Sequence, residues 1–359
     1  MKRSTFSRLA GLAALLALAV ILLGAYVRLS DAGLGCPDWP GCYGRLVAPS
    51  HPEAVAEANA AYPERPVEAH KAWKEMVHRY LASGLGLAVL VLAGLAWRGR
   101  RQGLPLVLPL VLVGLVIFQG LLGMWTVTLL VNPTIVTAHL AGGMTTLALL
   151  WWLALRAGQA RAAPSAGVAG LRPWAWGGLV LLCGQILLGG WTSTHYAAVA
   201  CIEFPTCYGG QWWPPTDFAE GFALWRPIGP DYEFGHLDSA ARTAIHLTHR
   251  LGALAVLLYL GSLAVLMLRR AGGPGERRLG LTLGTLLLVQ VGLGIWNVLG
   301  HLPLPVAVAH NGGAALLLLA LLTLIHHLNP PSLVSVPAGA RESASPSGTR
   351  HYKSREARA

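Results

Sequence analysis

Eight apolar runs constrain this chain more than any other feature. They lie at roughly 9–28, 77–97, 104–127, 135–155, 174–193, 243–267, 279–299 and 306–326. Each is close to the ~20 residues that an α-helix needs to cross a bilayer. In lipid every backbone polar group must be satisfied internally, so such runs fold as helices. Only 12% of the 359 residues are charged, against about a quarter in soluble proteins. The expected fold class is an all-α membrane protein with eight transmembrane helices. The first run follows Met1-Lys2-Arg3, as a secretory signal would. It is longer than the ~7–15 residues of a signal core and no A-x-A site follows it, so it is expected to persist as a helix.

An even number of spans places both termini on one side. The net charge of +11 then has a direction. Segments 1–8, 98–103, 156–173, 268–278 and 327–359 hold 18 of the 27 Lys and Arg residues but only 3 of the 16 acids. This is the positive-inside pattern, and it predicts cytoplasmic N- and C-termini. A nucleic-acid surface needs basic residues gathered on a folded face, which these short loops do not supply; no nucleic-acid partner is expected. The tail from Asn329 onward is polar, rich in Ser, Pro and Ala, and expected to be disordered. Its basic residues suit the anionic inner leaflet.

The chain also repeats itself. Gln119-Gly-Leu-Leu-Gly-Met-Trp125 recurs as Gln290-Val-Gly-Leu-Gly-Ile-Trp296, His139-Leu-Ala-Gly-Gly143 as His310-Asn-Gly-Gly313, and His78-Arg79 as His249-Arg250, all at a shift of 171 residues. Three ungapped matches at one shift predict two tandem-duplicated four-helix bundles. The expected division is an N-terminal half, 1–155, a cytoplasmic linker, 156–173, a C-terminal half, 174–326, and the tail, 327–359. The segments after spans one and five also match: Cys36-Pro-Asp-Trp-Pro-Gly-Cys42-Tyr-Gly44 and Cys201-Ile-Glu-Phe-Pro-Thr-Cys207-Tyr-Gly209.

Both C-x5-C pairs fall on the outer side of this topology. There two thiols with Pro and Gly shaping the turn can close a disulfide loop, structural or redox-active. Neither loop has histidines at zinc-like spacing. Cys183, inside span five, is expected to pack as a small apolar residue. Of the thirteen histidines, nine fall in outer segments, in the inner end of the chain or beside a repeated one, where an ordinary loop or interface role suffices. His78, His139, His249 and His310 differ: each opens a span at its outer end and recurs in the other half. Ionisable groups within spans are costly and face the bundle interior. Two imidazoles converging from different helices can clamp a haem iron axially, so two haem sites are expected side by side. Gly142, Gly143, Gly312 and Gly313 suit close approach of a macrocycle or a neighbouring helix. Arg79 and Arg250 follow the first histidine of each pair and either face haem propionates or snorkel to headgroups.

The halves differ at one informative place. Glu75 stands three residues before His78, and His246 occupies the corresponding position before His249. A carboxylate in a poorly hydrated pocket can serve as an acid–base group; the plainer reading pairs Glu75 with Lys71, Arg79 or solvent.

On Glu75-x-x-His78-Arg79, His139-x-x-Gly-Gly143, His249-Arg250, His310-x-Gly-Gly313 and both cysteine loops, residues 9–326 resemble the haem A synthase family, membrane enzymes of aa3-type oxidase biogenesis. The resemblance implies an oxidoreductase that converts the C8 methyl of haem O to a formyl group by successive hydroxylations, with water as oxygen source. It implies resident haem b on His249 and His310, substrate haem O on His78 and His139, Glu75 as the catalytic carboxylate, and reactive cysteines in Cys36 and Cys42. It places the chain in a bacterial-type inner membrane, with haem O synthase and oxidase assembly factors as partners. The motifs do not identify the electron acceptor. The competing reading is a two-haem electron-transfer or quinol-reactive cytochrome b.

Overall fold

The computed structural model describes residues 3–158, 163–225 and 231–329. Eight long helices are apolar enough to cross a membrane: α1 (Arg3–Leu29), α2 (Ala69–Arg98), α3 (Val107–Thr128), α4 (Pro133–Ala157), α5 (Arg172–Thr194), α6 (Ser239–Arg270), α7 (Pro274–Leu299) and α8 (Leu304–Leu328). The described residues contain no strand. Every expected span is present, and several begin earlier than their apolar run. Helix α2 starts eight residues before the run at 77, because Lys71, Lys74 and Glu75 interrupt the apolar pattern without interrupting the helical hydrogen bonds. Glu75 and His78 therefore project from a continuous helix. Helix starts carry local causes. Asn132 caps α4 by accepting from the Thr134 amide at 3.0 Å, with Pro133 at the first helical position. Asp238 caps α6 by accepting from Ala241 at 2.8 Å.

Packing organises the eight helices as two groups of four. Helices α1 to α4 form a closed ring in which α4 returns to α1, and α5 to α8 do the same with α8 against α5. The two rings meet through α1, α4, α5 and α8. Close approach between them is direct: a Cβ on Gly312 of α8 would lie 2.6 Å from Leu22 of α1. Two tight turns join α3 to α4 and α7 to α8. Each contains consecutive residues in the left-handed region, Leu130 with Val131 and His301 with Leu302, 171 positions apart.

The bundle is layered along its length. One end is a dense aliphatic core that includes Leu147, Leu150, Leu260, Leu263, Leu317 and Leu321. At the other end, odd-numbered helices finish and even-numbered helices begin, and the segment 30–68 and the described residues of 195–238 lie there. Those segments tie the two groups together. Arg65 forks onto Asp231 at 3.0 Å and Glu233 at 3.1 Å, and the Tyr196 hydroxyl donates to Asp31 at 2.9 Å. Cys183 corrects one expectation: it is exposed on α5 rather than packed, since a surface made for lipid accepts a small apolar thiol as readily as a core does. The tail expected to be disordered lies outside the described residues from 330 on.

Candidate functional site

The four repeated histidines converge in two pairs at the loop end of the bundle. His78 of α2 and His139 of α4 are close enough to interact electrostatically, as are His249 of α6 and His310 of α8. Each ring rests against a glycine near the end of the preceding odd-numbered helix. A Cβ at Gly24 would lie 2.9 Å from Cε1 of His78, and one at Gly123 would lie 3.6 Å from Cε1 of His139. The corresponding distances are 3.3 Å from Gly189 to His249 and 3.1 Å from Gly294 to His310. Glycine at Gly24, Gly189 and Gly294 leaves the rings room that a Cβ would take, while at Gly123 a Cβ would only touch the ring.

The ring nitrogens have spare valence. Nδ1 of His78, His139 and His310 is buried without a hydrogen-bond partner. An unpaired buried polar atom costs about 1–3 kcal/mol, so each marks a place that the protein alone does not complete. Paired imidazoles from facing helices and a glycine under every ring together fit a haem in each half, and the unpaired Nδ1 atoms leave three of the four rings incompletely held by the protein. Gly142 and Gly313, expected near a macrocycle or a helix, serve the helix: they lie against the side chains of Gln119 and Gln290.

Above each pair sits a disulfide loop built on one plan. Cys36 is bonded to Cys42 and Cys201 to Cys207, with sulfurs 2.00 and 2.01 Å apart. Inside the first loop, Asp38 accepts from the amides of Tyr43 and Gly44, both at 2.7 Å. In the second, Glu203 accepts from Gly209 at 2.9 Å and Gly210 at 3.0 Å, and from the Thr206 hydroxyl at 2.8 Å. Those bonds hold the Glu203 carboxyl below the usual glutamate range, the Thr206 hydroxyl contributing most. Gly44, Gly209 and Gly210 take positive φ, as two-residue turns of this handedness require.

Glu75 and His246 anchor these loops from below, and both are buried, at 5% and 4% exposure. Glu75 accepts from the Cys36 amide at 2.9 Å and is ion-paired with Arg79. His246 occupies the equivalent position: its Nδ1 accepts from the Cys201 amide at 3.2 Å, and its Nε2 lies 3.3 Å from Nε of Arg250. Both arginines grip the loop above them. Arg79 donates to the carbonyls of Asp38 at 3.0 Å and of Gly41. Arg250 donates to Thr206 at 2.9 Å, Cys201 at 3.0 Å and Glu203 at 2.8 Å. Of the partners weighed for Glu75, the structure selects Arg79. Lys71 is paired with Glu68 instead.

Three sets of residues at this end were not singled out from sequence. Gly123 and Gly294 lie inside the repeated Gln-to-Trp segments, so their signal was present. Gly24 and Gly189 share a shift of 165, the shift of the cysteine loops, and extending that match would have found them. His195, expected as a loop histidine, is buried and lies 4.3 Å from the Trp191 ring, centroid to centroid.

Comparison with known proteins agrees with this arrangement. The model of a family described as cytochrome oxidase assembly protein, COX15-CtaA, matches residues 7–322. Heme A synthase of Shewanella oneidensis is 47% identical over 313 residues, covering 87% of this chain and 93% of that protein. Heme A synthase of Allorhizobium ampelinum is 30% identical over 330 residues, covering 86% of each chain. Heme A synthase of Granulibacter bethesdensis is 29% identical over 336 residues, covering 87% and 84%. A match over nearly the whole membrane region, with paired histidines and glycine-lined ring sites inside it, places this chain in the COX15-CtaA family, the family of the haem A synthases.

Proposed function

We propose that this chain is a haem A synthase that oxidises the C8 methyl of haem O to the formyl group of haem A. The observation that carries the reading is a difference in ionisable chemistry at corresponding positions of the two sites: Glu75 in one, His246 in the other. In this reading His78 and His139 receive haem O, and His249 and His310 hold a resident haem b. A bound haem b supplies a one-electron redox centre. Arg79 and Arg250, one residue beyond the first ligand of each pair, face the propionates with the donors their loop bonds leave free.

The net change at the methyl is CH3 + H2O → CHO + 4 H+ + 4 e−, reached by two successive hydroxylations, with an external electron acceptor taking the four electrons. Were His78 and His139 both to hold the iron of haem O, no position would remain open there for oxygen activation, and the reading therefore takes water as the oxygen source. The chain's own contribution is proton handling and water exclusion. Among the described residues Glu75 is the carboxylate one helical turn before His78, and its bonds to the Cys36 amide and Arg79 fix where it can accept a proton. The Cys36–Cys42 loop covers it and limits access of bulk water.

The same reading treats the halves, 1–155 and 174–326, as products of tandem duplication joined by the 156–173 linker. It places the protein as a multi-pass protein in a bacterial-type inner membrane, with both termini and the 327–359 tail cytoplasmic and the disulfide loops outward. Haem O synthase is the natural donor of so apolar a substrate, and oxidase assembly factors the natural recipients of its product. Glu75→Gln tests the reading, because it preserves an oxygen acceptor for the Cys36 amide while removing the base. It should abolish haem A formation and leave haem b in the C-terminal pair. Undiminished haem A formation would refute the reading, and the two-haem cytochrome b would then account better for the sites.

A further inference from the structure

The haem assignment leaves a question that the ligands themselves do not answer: why one haem stays and the other is exchanged. Both sites offer two histidines, and both rest on glycines. The difference lies one turn away on the odd-numbered helix. In the C-terminal half, Gln185 of α5 places its Nε2 3.0 Å from Nδ1 of His249 and donates to the His249 carbonyl, also at 3.0 Å. One amide thus lies against both the ring and the backbone of the same residue. For Nε2 to hold iron, Nδ1 must carry the proton, and the amide turned over would accept it through Oε1, which has no other partner. The 165-residue shift that relates Gly189 to Gly24 relates Gln185 to Val20. Val20 has no polar side chain, and Nδ1 of His78 has no partner.

The neighbouring helix has changed to match. Gly252 lies against Gln185, and a Cβ there would collide with the amide oxygen. The 171-residue shift that relates His249 to His78 relates Gly252 to Leu81. The C-terminal half therefore combines an amide with a glycine that makes room for it, where the N-terminal half has two aliphatic side chains. Partners of a ligating imidazole's second nitrogen fix ring orientation, and their loss typically costs about 10–100-fold in affinity. A glutamine carries both a donor and an acceptor and can serve either tautomer of the ring.

We propose that Gln185 is the positioning residue that holds His249 and so keeps the C-terminal haem resident, while Val20 leaves His78 free to receive and release its haem. The inference rests on the haem assignment made above. The test uses the purified full chain carrying haem b, challenged with excess apomyoglobin, with haem transfer followed at the Soret band and the low-spin EPR spectrum recorded. Gln185→Met removes the amide at nearly constant volume. It should speed haem b loss about 10-fold or more and shift the haem b g values, with occupancy of the His78 and His139 site unchanged. The double variant Val20→Gln, Leu81→Gly transplants the pair and should slow release from the N-terminal site. A wild-type loss rate and EPR spectrum in Q185M, with haem b absent from both H249A and H310A, overturns the role of Gln185. Should Q185M fail to accumulate, unchanged N-terminal release in the double variant overturns it. Haem b retained in both H249A and H310A overturns the haem assignment, and the inference with it.

Discussion

Alanine at the four ring-bearing glycines should affect haem binding in an order set by the distances. A Cβ would lie 2.9 Å from the ring at Gly24, 3.1 Å at Gly294, 3.3 Å at Gly189 and 3.6 Å at Gly123. Carbon atoms in contact prefer about 3.5–4.0 Å, so G123A fits without movement. G24A forces His78 away by roughly half an ångström or more. Overpacking of this kind costs about 1–3 kcal/mol. Taken at ~2 kcal/mol, the displacement weakens haem binding about 30-fold. Against this, alanine in a helix interior gains up to about 1 kcal/mol over glycine. G123A should therefore melt at or above the wild-type temperature with its haem intact. G24A should melt near wild type while losing substrate haem. Within the resident site, G294A should lose more haem b than G189A. Pyridine haemochrome analysis of purified protein gives the haem content, and a thermal melt in the same detergent gives the stability. Haem loss in G123A equal to that in G24A, or full haem in both G24A and G294A, would refute the argument.

Glu203 gives a pH dependence. Its carboxyl is held below the ordinary glutamate range by the Thr206 hydroxyl and the Gly210 and Gly209 amides, so its contribution is present at neutral pH and lost as pH falls through the folded value. Hydrogen exchange at Gly209 and Gly210 should accelerate in that acid range, and Glu203→Gln should remove the acceleration; protection that ignores pH in wild type counts against it. Cys183 is exposed on α5 among apolar residues, so a lipophilic maleimide should label it and a membrane-impermeant one should not; equal labelling by both places it in water. Turnover in ¹⁸O-labelled water should put label into a freshly trapped alcohol product. Its absence there removes water as the oxygen source.

Much of this architecture was legible in the sequence because it rests on periodicity and repetition. The eight spans follow from apolar length, and the two histidine pairs follow from one shift of 171. Helix starts were less legible: Glu75 lies in a stretch whose charges end the apolar run, although the helix continues through it. Arg79 and Arg250 show a different limit. Their position beside the ligands suggested propionates or headgroups, but not that their guanidiniums also reach the carbonyls of loops about 40–50 residues away in sequence. Contacts between a helix and a distant loop leave no periodic trace. Gln185 was invisible for a related reason, since the repeat that reveals it carries a different residue in each half and is read only once Gly24 and Gly189 are seen under their rings.

The central claim is that matched histidine pairs hold two haems with different fates. Pigment analysis of the purified protein, expressed with and without a haem O source, tests it most directly. The account predicts haem b in both preparations, with haem A or its alcohol precursor appearing only when haem O is supplied. Haem b alone in both preparations would contradict it.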